Sequence, residues 1–364
     1  MRFLKYIAIS WTLWGISLYL FSPYLTILLE SSISIPFLVD LTYIISSIAG
    51  ILFINLLKVF RDESIAKISI VVSGLGLIIL GLSNNAVSAI LGLLTYNTYW
   101  IAVPFFYYNL SKAEKEQFSK TWAISMIPAL ILPIVGGLIS LHIGVRAIFI
   151  ISGVLMILSA VPLTWVKFNI EGEGRSENRE SLIPLIFSVL PLSLALPFLY
   201  ELRSFELSTV WLTYEIGEVV GILLTWISWR NNNSLAVALL IFSTVIVNSF
   251  VALGGFYYGL SEAVLSSGVG SVNPRSFKTA IRVATMEASL WTIGYIMSSL
   301  AYIVNYSLPF VYAGLIALLF ALLIMVRIEN RRVRIPSLRE IYLSVSRRVK
   351  HVTYEGIDPY FKFA

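Results

Sequence analysis

The sequence predicts an all-α membrane protein of twelve transmembrane helices in two six-helix bundles, with the N- and C-termini cytoplasmic. Three observations lead there. Of the 364 residues, 58% are hydrophobic and 13% charged, with a mean hydropathy of +0.85, whereas a soluble chain carries roughly a quarter charged residues. The apolar residues fall into twelve runs of spanning length. When those runs are threaded in alternation, the basic residues collect on one side.

A hydrocarbon layer about 30 Å thick takes roughly 20 residues of helix at 1.5 Å each. Runs of that size cover 6–29, 35–57, 66–83, 86–109, 120–142, 146–166, 183–200, 207–229, 234–253, 254–272, 283–304 and 308–327. Arg2 and Lys5 lead into a first run too long for a signal-peptide core and without a small-residue cleavage site, so it is expected to stay as a helix. Breaks such as Asn84-Asn85 and Gly254-Gly255 rest on turn chemistry alone. With the N-terminus inside, all of the 26 Lys and Arg except Arg146 and Arg203 fall on the cytoplasmic side, nine of them from Arg327 onward. A wrong span count would scatter these charges.

The polar stretch from Lys167 to Ser181, rich in Glu, Gly, Arg and Asn, reads as a solvated linker. The expected organisation is therefore an N-terminal six-helix bundle (1–166), a cytoplasmic linker (167–182), a C-terminal six-helix bundle (183–327) and a basic cytoplasmic tail (328–364). Leu41-Thr42-Tyr43, Ile45 and Gly50-Ile51-Leu52 recur 171 residues on as Leu212-Thr213-Tyr214, Ile216 and Gly221-Ile222-Leu223. This pairs the second span of each half, which favours parallel over inverted repeats. In the tail, Leu338, Ile341, Tyr342, Val345, Val349 and Val352 recur at helical spacing after Pro336, as in an amphipathic helix lying on the anionic inner leaflet or packed on the loops.

Two histidines, His142 and His351, and no cysteine leave no residues for zinc sites, thiol nucleophiles, iron–sulfur clusters or disulfides. No nucleotide-binding loop occurs, so energy should come from an ion or solute gradient. No cofactor is expected, and no nucleic acid, because the basic residues follow from orientation alone.

Charges inside spans cost roughly 2.5–3.5 kcal/mol on insertion scales and call for a reason. Glu215 and Glu218 in span 8, Glu262 in span 10 and Glu287 in span 11 are such charges. Counting along span 8 puts Glu215 roughly 12 Å and Glu218 roughly 16 Å deep, the latter near the midplane. The two share a helix face, where two ionised carboxylates would repel. No Lys or Arg lies deep in a span to neutralise the acids, so an internal cavity should be acidic. Such carboxylates suit proton exchange or pairing with a cation, or they stay protonated and bond a neighbouring helix. Asp40, five residues into span 2, reads as interfacial. Trp11 and Trp14 in span 1, and Tyr96, Asn97, Tyr99 and Trp100 in span 4, could hold an apolar or cationic molecule by stacking and cation–π contact. Tyr107, Tyr108, Tyr257 and Tyr258, near span ends, read as interfacial anchors. Pro184, Pro191 and Pro197 should break the hydrogen-bond ladder of span 7.

The stretch from Pro128 to Phe149 resembles helices five and six of the major facilitator superfamily (MFS). That family often carries G-x-x-x-G-P-x-x-G-G in helix five and G-W-R-x-x-F at the start of helix six. Here Pro133, Gly136 and Gly137 match, Pro128 and Leu132 stand at the two earlier glycine positions, and Gly144, Arg146 and Phe149 keep the second motif. Proline bends a helix and paired glycines admit a neighbouring backbone, so Pro133, Gly136, Gly137 and Arg146 are expected to serve conformational change. The loop after span 2 departs from the family pattern, and span 4 lacks the embedded arginine of many proton-coupled members. The resemblance implies cavity-lining helices 1, 4, 7 and 10 and lipid-facing helices 3, 6, 9 and 12.

It also implies a secondary active transporter that moves a small solute by alternating access. The fifth-helix motif points to efflux of an organic or cationic compound by proton antiport. The substrate would meet Glu218, Glu262, Glu215, Trp14, Tyr96, Asn97 and Trp100, with Glu218, Glu262 and Glu287 coupling the ion. Expected partners are a small-molecule substrate, protons and the lipid bilayer of the plasma membrane, around a monomer. Uptake of a solute is the alternative. A membrane-embedded enzyme would need clustered catalytic groups, and neither His-Glu-x-x-His nor Gly-x-Gly-Asp occurs. A non-transporting receptor or assembly protein is the remaining class.

Overall fold

In the computed structural model, residues 2–60, 62–113, 115–168, 182–199, 232–248, 254–274 and 276–329 are described, with single positions between 216 and 224. Among them all regular structure is helical. The helices are α1 (Arg2–Phe21), α2 (Leu25–Ser32), α3 (Pro36–Leu56), α4 (Glu63–Leu82), α5 (Ala86–Tyr96), α6 (Val103–Ala113) and α7 (Lys115–Met126). They continue with α8 (Leu132–His142), α9 (Val145–Ser159), α10 (Ile183–Leu199), α11 (Asn232–Asn248), α12 (Gly254–Val272), α13 (Phe277–Val304) and α14 (Leu308–Glu329). Six stretches among the described residues are long and apolar enough to cross a membrane: Leu4–Ser32, Phe37–Leu56, Glu63–Leu82, Ala86–Ser111, Val145–Trp165 and Leu308–Val326. Most of span 8, the linker beyond Phe168 and the tail lie outside the described residues, and with them Glu215, Glu218 and the amphipathic repeat.

Three spans are each two helices joined by a short 3-10 turn: Ser22–Tyr24 between α1 and α2, Asn97–Ile101 between α5 and α6, and Ile127–Leu130 between α7 and α8. Each break sits at a proline, Pro23, Pro104 and Pro128. Proline lacks the N–H that would close the ladder one turn back and crowds the carbonyl there, so the backbone tightens and restarts. Span 7 differs from expectation. Pro184, Pro191 and Pro197 leave α10 one continuous helix. Pro184 occupies the first turn, where no intrahelical N–H bond is needed, and the interior bonds lost at Pro191 and Pro197 do not end the helix.

Helix starts are fixed by caps. Asp62 accepts from Ser64 N at 2.9 Å, and that bond holds its carboxyl below the usual carboxylate range. Asn85 and Ser88 form a reciprocal capping box on α5, and Ser276 caps α13 through Thr279 N at 3.1 Å. Several helices outrun their apolar stretch: α6 continues to Ala113, and α13 begins at Phe277 rather than at 283. The backbone ladder extends past the point where hydropathy falls.

Before the linker, α4 and α1 both pack along α9, and α1 along α7. After it, α11 and α10 pack along α14, and α10 along α13. Serine hydroxyls tie these contacts: Ser10 to Ser159 O (2.6 Å) and Ser17 to Ser152 O (2.8 Å), then Ser298 to Leu194 O (2.6 Å). In the α4–α9 contact Gly74 and Gly153 face each other, and a Cβ on either would lie 2.6 Å from the other's carbonyl oxygen. The outward faces of α4, α9 and α14 carry exposed apolar residues such as Leu75, Val154, Leu158, Leu319 and Leu323. Acyl chains are a compatible solvent for such a surface.

Two contacts join the chain before the linker to the chain after it along much of their length, α3 with α13 and α6 with α13. At the linker end, Phe105 packs at a tilt against Phe277 (4.8 Å between ring centres) and Phe168 (5.4 Å), and Tyr108 meets Phe277 edge-on (5.9 Å). The first linker residues are pinned there too, since Lys67 Nζ donates to Val166 O (2.9 Å) and Phe168 N to Glu63 Oε2 (2.6 Å).

Candidate binding cavity

Between the two groups of helices lies a cavity of about 260 Å³. Its walls come from α1, α2, α3, α5, α6, α7, α10, α12 and α13, and none of the lining residues belongs to α4, α9, α11 or α14. The cavity thus takes side chains from spans 1, 4, 7 and 10, and adds spans 2, 5 and 11.

Aromatic rings form most of one wall. Trp11 packs against Trp14 (5.2 Å) and Trp122 (5.3 Å), Trp14 against Tyr99 (5.3 Å), and Tyr99 stacks on Trp100 (5.2 Å). Trp291 and Tyr295 (5.6 Å apart) stand on α13 opposite. Trp14, Tyr96, Asn97 and Trp100 all line the cavity, although the Asn97 amide also donates to Leu93 O at 2.9 Å. The 3-10 turn at Asn97–Ile101 turns successive residues of span 4 toward the cavity. Pro104 was the available signal for that turn.

Two of the four candidate glutamates are described, and both line this cavity. Glu262, half-buried, sits about 12 Å along α12. Its Oε2 accepts from Trp122 Nε1 at 3.1 Å. Glu287, 4% exposed, lies on α13, and its Oε2 accepts from the Tyr107 hydroxyl at 2.9 Å. Among the described residues, no Lys, Arg or His lines the cavity. A buried ion without a counter-charge costs several kcal/mol even after relaxation. The cavity's chemistry therefore favours a proton or a cation beside these acids. Ser22, buried at the same wall, has a hydroxyl without a hydrogen-bond partner among the described residues and adds a polar contact for an occupant.

Tyr107, Tyr108 and Tyr257 are not interfacial anchors: each is at most 2% exposed. The four extra residues of α6 move Tyr107 about 9 Å inside the helix end, where it reaches Glu287. The side chain of Tyr258 lies outside the described residues, and Asp40 does not reach the cavity. Trp122 escaped the sequence reading because Lys120 and the polar residues around it mask the start of span 5.

The fifth-span motif is a helix break. Pro133 is in the first turn of α8 just after the 3-10 turn at Ile127–Leu130. Gly136 is buried, and a Cβ there would meet the Tyr24 ring at 2.8 Å. Gly137 is buried as well. Arg146 is exposed at the start of α9, and its Nη1 donates to Asn84 Oδ1 at 2.5 Å, which ties α9 to the turn after α4.

Solved transporters share this architecture. The human organic anion transporter MFSD10 (TETRAN) superposes with a TM-score of 0.63 at 12% identity, over 89% of this chain and 99% of its own. A variant of the E. coli fucose:proton symporter FucP gives 0.60 at 13% identity, over 89% and 99%. An MFS transporter, FucP, in the outward conformation gives 0.58 at 11% identity with the same coverage. No protein-family model matches the chain, and no curated protein matches it in sequence. The chain has the fold of MFS transporters and is a multi-pass membrane protein.

Proposed function

We propose that the protein is a secondary active transporter that moves a compact organic cation across the plasma membrane by alternating access, exporting it in exchange for protons. The observation that carries this reading is a cavity in which two carboxylates, Glu262 and Glu287, face an aromatic wall with no lining cation among the described residues. Rings supply cation–π attraction and the acids supply the counter-charge. The volume of about 260 Å³ lies just below the roughly 300–1,000 Å³ of ligand pockets, which suits a small molecule. Glu262, the more exposed acid, pairs with the substrate, and Glu287 carries the exchangeable proton. Glu215 and Glu218 would extend the acidic path from span 8.

Twelve spans with both termini cytoplasmic, divided at the linker into two six-helix bundles, complete the proposal. The pairings α4–α9, α1–α9 and α1–α7 recur six spans later as α11–α14, α10–α14 and α10–α13, as parallel repeats require. Pro133, Gly136, Gly137 and Arg146 would act as the conformational elements of the first bundle.

The test is flux. Proteoliposomes loaded with 1-methyl-4-phenylpyridinium, a fixed aromatic cation, should release it faster when the outside is acidified and should take up protons as they do. Release no faster than from empty liposomes, for this probe and for a panel of other small ammonium and pyridinium ions, removes the reading.

A further inference from the structure

Among the described residues, side-chain hydrogen bonds that cross between the chain before the linker and the chain after it at the level of the cavity include these three. Tyr107 donates to Glu287 (2.9 Å), Trp122 to Glu262 (3.1 Å) and Thr292 to Ser47 (2.9 Å). Two of the three therefore end on the cavity's own acids, each on a helix after the linker and each reached by an aromatic donor before it. Of the lining residues, Tyr107 is the one nearest the end of α6 and Trp122 the one nearest the start of α7, which puts both in the part of the cavity closest to the linker end.

We propose that Tyr107 and Trp122 are positioning residues that make Glu287 and Glu262 a charge-sensitive clasp between the two sides of the cavity. The clasp would hold the linker end shut while the acids are ionised and loosen when they are protonated. This rests on the alternating-access reading given above.

The physical basis is the dependence of a hydrogen bond on the charge of its acceptor. A bond from a hydroxyl or indole N–H to a carboxylate is roughly twice as strong as one to a neutral acceptor. When the proton from solution adds to a carboxylate oxygen, the acceptor becomes neutral and both donors keep their protons, so the clasp weakens without breaking a covalent bond. The Ser47–Thr292 bond is neutral at both ends and has no such response.

The groups facing the two acids are few. Tyr99 and Tyr107 approach from span 4, Trp122 from α7, and Trp291, which bonds Glu287, from α13 itself; Tyr43 on α3 and Tyr295 on α13 line the same cavity, α10 presents Leu192 and Leu196, and no described residue of α14 lines it. Glu262 and Glu287 also face each other across it. The two carboxyl groups are accordingly the only lining acids or bases, tyrosine hydroxyls apart, among the described residues.

The chain has no cysteine, so introduced cysteines are sole attachment points for spin labels. Val59→Cys with Lys278→Cys reports on the linker end, and Val87→Cys with Val304→Cys on the opposite end; all four positions are exposed. Distances are measured by electron–electron double resonance on the full chain in lipid discs at about pH 4 and about pH 9, on either side of carboxyl and histidine titration. The wild type should show a longer linker-end distance in acid. Tyr107→Phe, which removes one oxygen and keeps the ring, should show the long distance at both pH values, and so should Glu287→Gln. Trp122→Phe provides a second route should either fold poorly. Thr292→Val should keep the wild-type response. A distance that ignores pH in the wild type, or a Tyr107→Phe protein that responds as the wild type does, overturns the clasp. No cargo is present in this experiment, so absent flux and an absent clasp are separate results.

Discussion

Glu262→Gln is expected to weaken binding of 1-methyl-4-phenylpyridinium by about 30-fold or more, because losing one partner of a buried, hydrogen-bonded charge pair costs at least about 2 kcal/mol. Glutamine keeps the size of the side chain and can still accept from Trp122 Nε1, so the charge is the main thing removed. Glu287→Gln is expected to separate differently: the cation still binds within about threefold, while release no longer responds to a pH gradient, since the exchangeable proton has no carboxylate to occupy. Isothermal titration and liposome release on the same preparations check both halves. Equal binding by Glu262→Gln and the wild type would remove this acid from the site, and intact proton-driven release by Glu287→Gln would remove the other from coupling.

Gly153→Ala should be a damaging single methyl in the contact between α4 and α9. The new Cβ would stand 2.6 Å from Gly74 O and 3.0 Å from Ile78 N, both backbone atoms that cannot rotate away. Separating α4 from α9 to relieve this is expected to cost about 1–3 kcal/mol or more, read as an earlier unfolding midpoint in detergent. Leu158→Ala, on the exposed face of the same helix, should change it by no more than about 0.5 kcal/mol. Matching midpoints for the two variants would show that the close approach does not hold these helices together.

The membrane-spanning helices were legible because their cause is local: hydropathy is written along the chain. Two acids could be singled out for the same reason, since a Glu amid apolar residues is visible without a fold. What surrounds them was not legible. Tyr107 and Trp122 meet Glu287 and Glu262 across 180 and 140 residues of sequence, and nothing local says which rings share a cavity. Tyr107 was misread as an anchor because the apolar run ends before the helix does. The breaks at Pro23 and Pro104 were available from proline chemistry, yet the same chemistry at Pro191 leaves α10 unbroken. A proline marks a lost hydrogen bond, and packing decides whether the helix turns there.

Ser46→Cys gives the most direct measurement, because Ser46 lines the cavity and would be the chain's single thiol. In oriented proteoliposomes a membrane-impermeant, positively charged methanethiosulfonate should modify it from either face of the bilayer, and 1-methyl-4-phenylpyridinium should slow both reactions. Labelling from one face alone, or a rate indifferent to the cation, would contradict a cavity that opens alternately to the two sides.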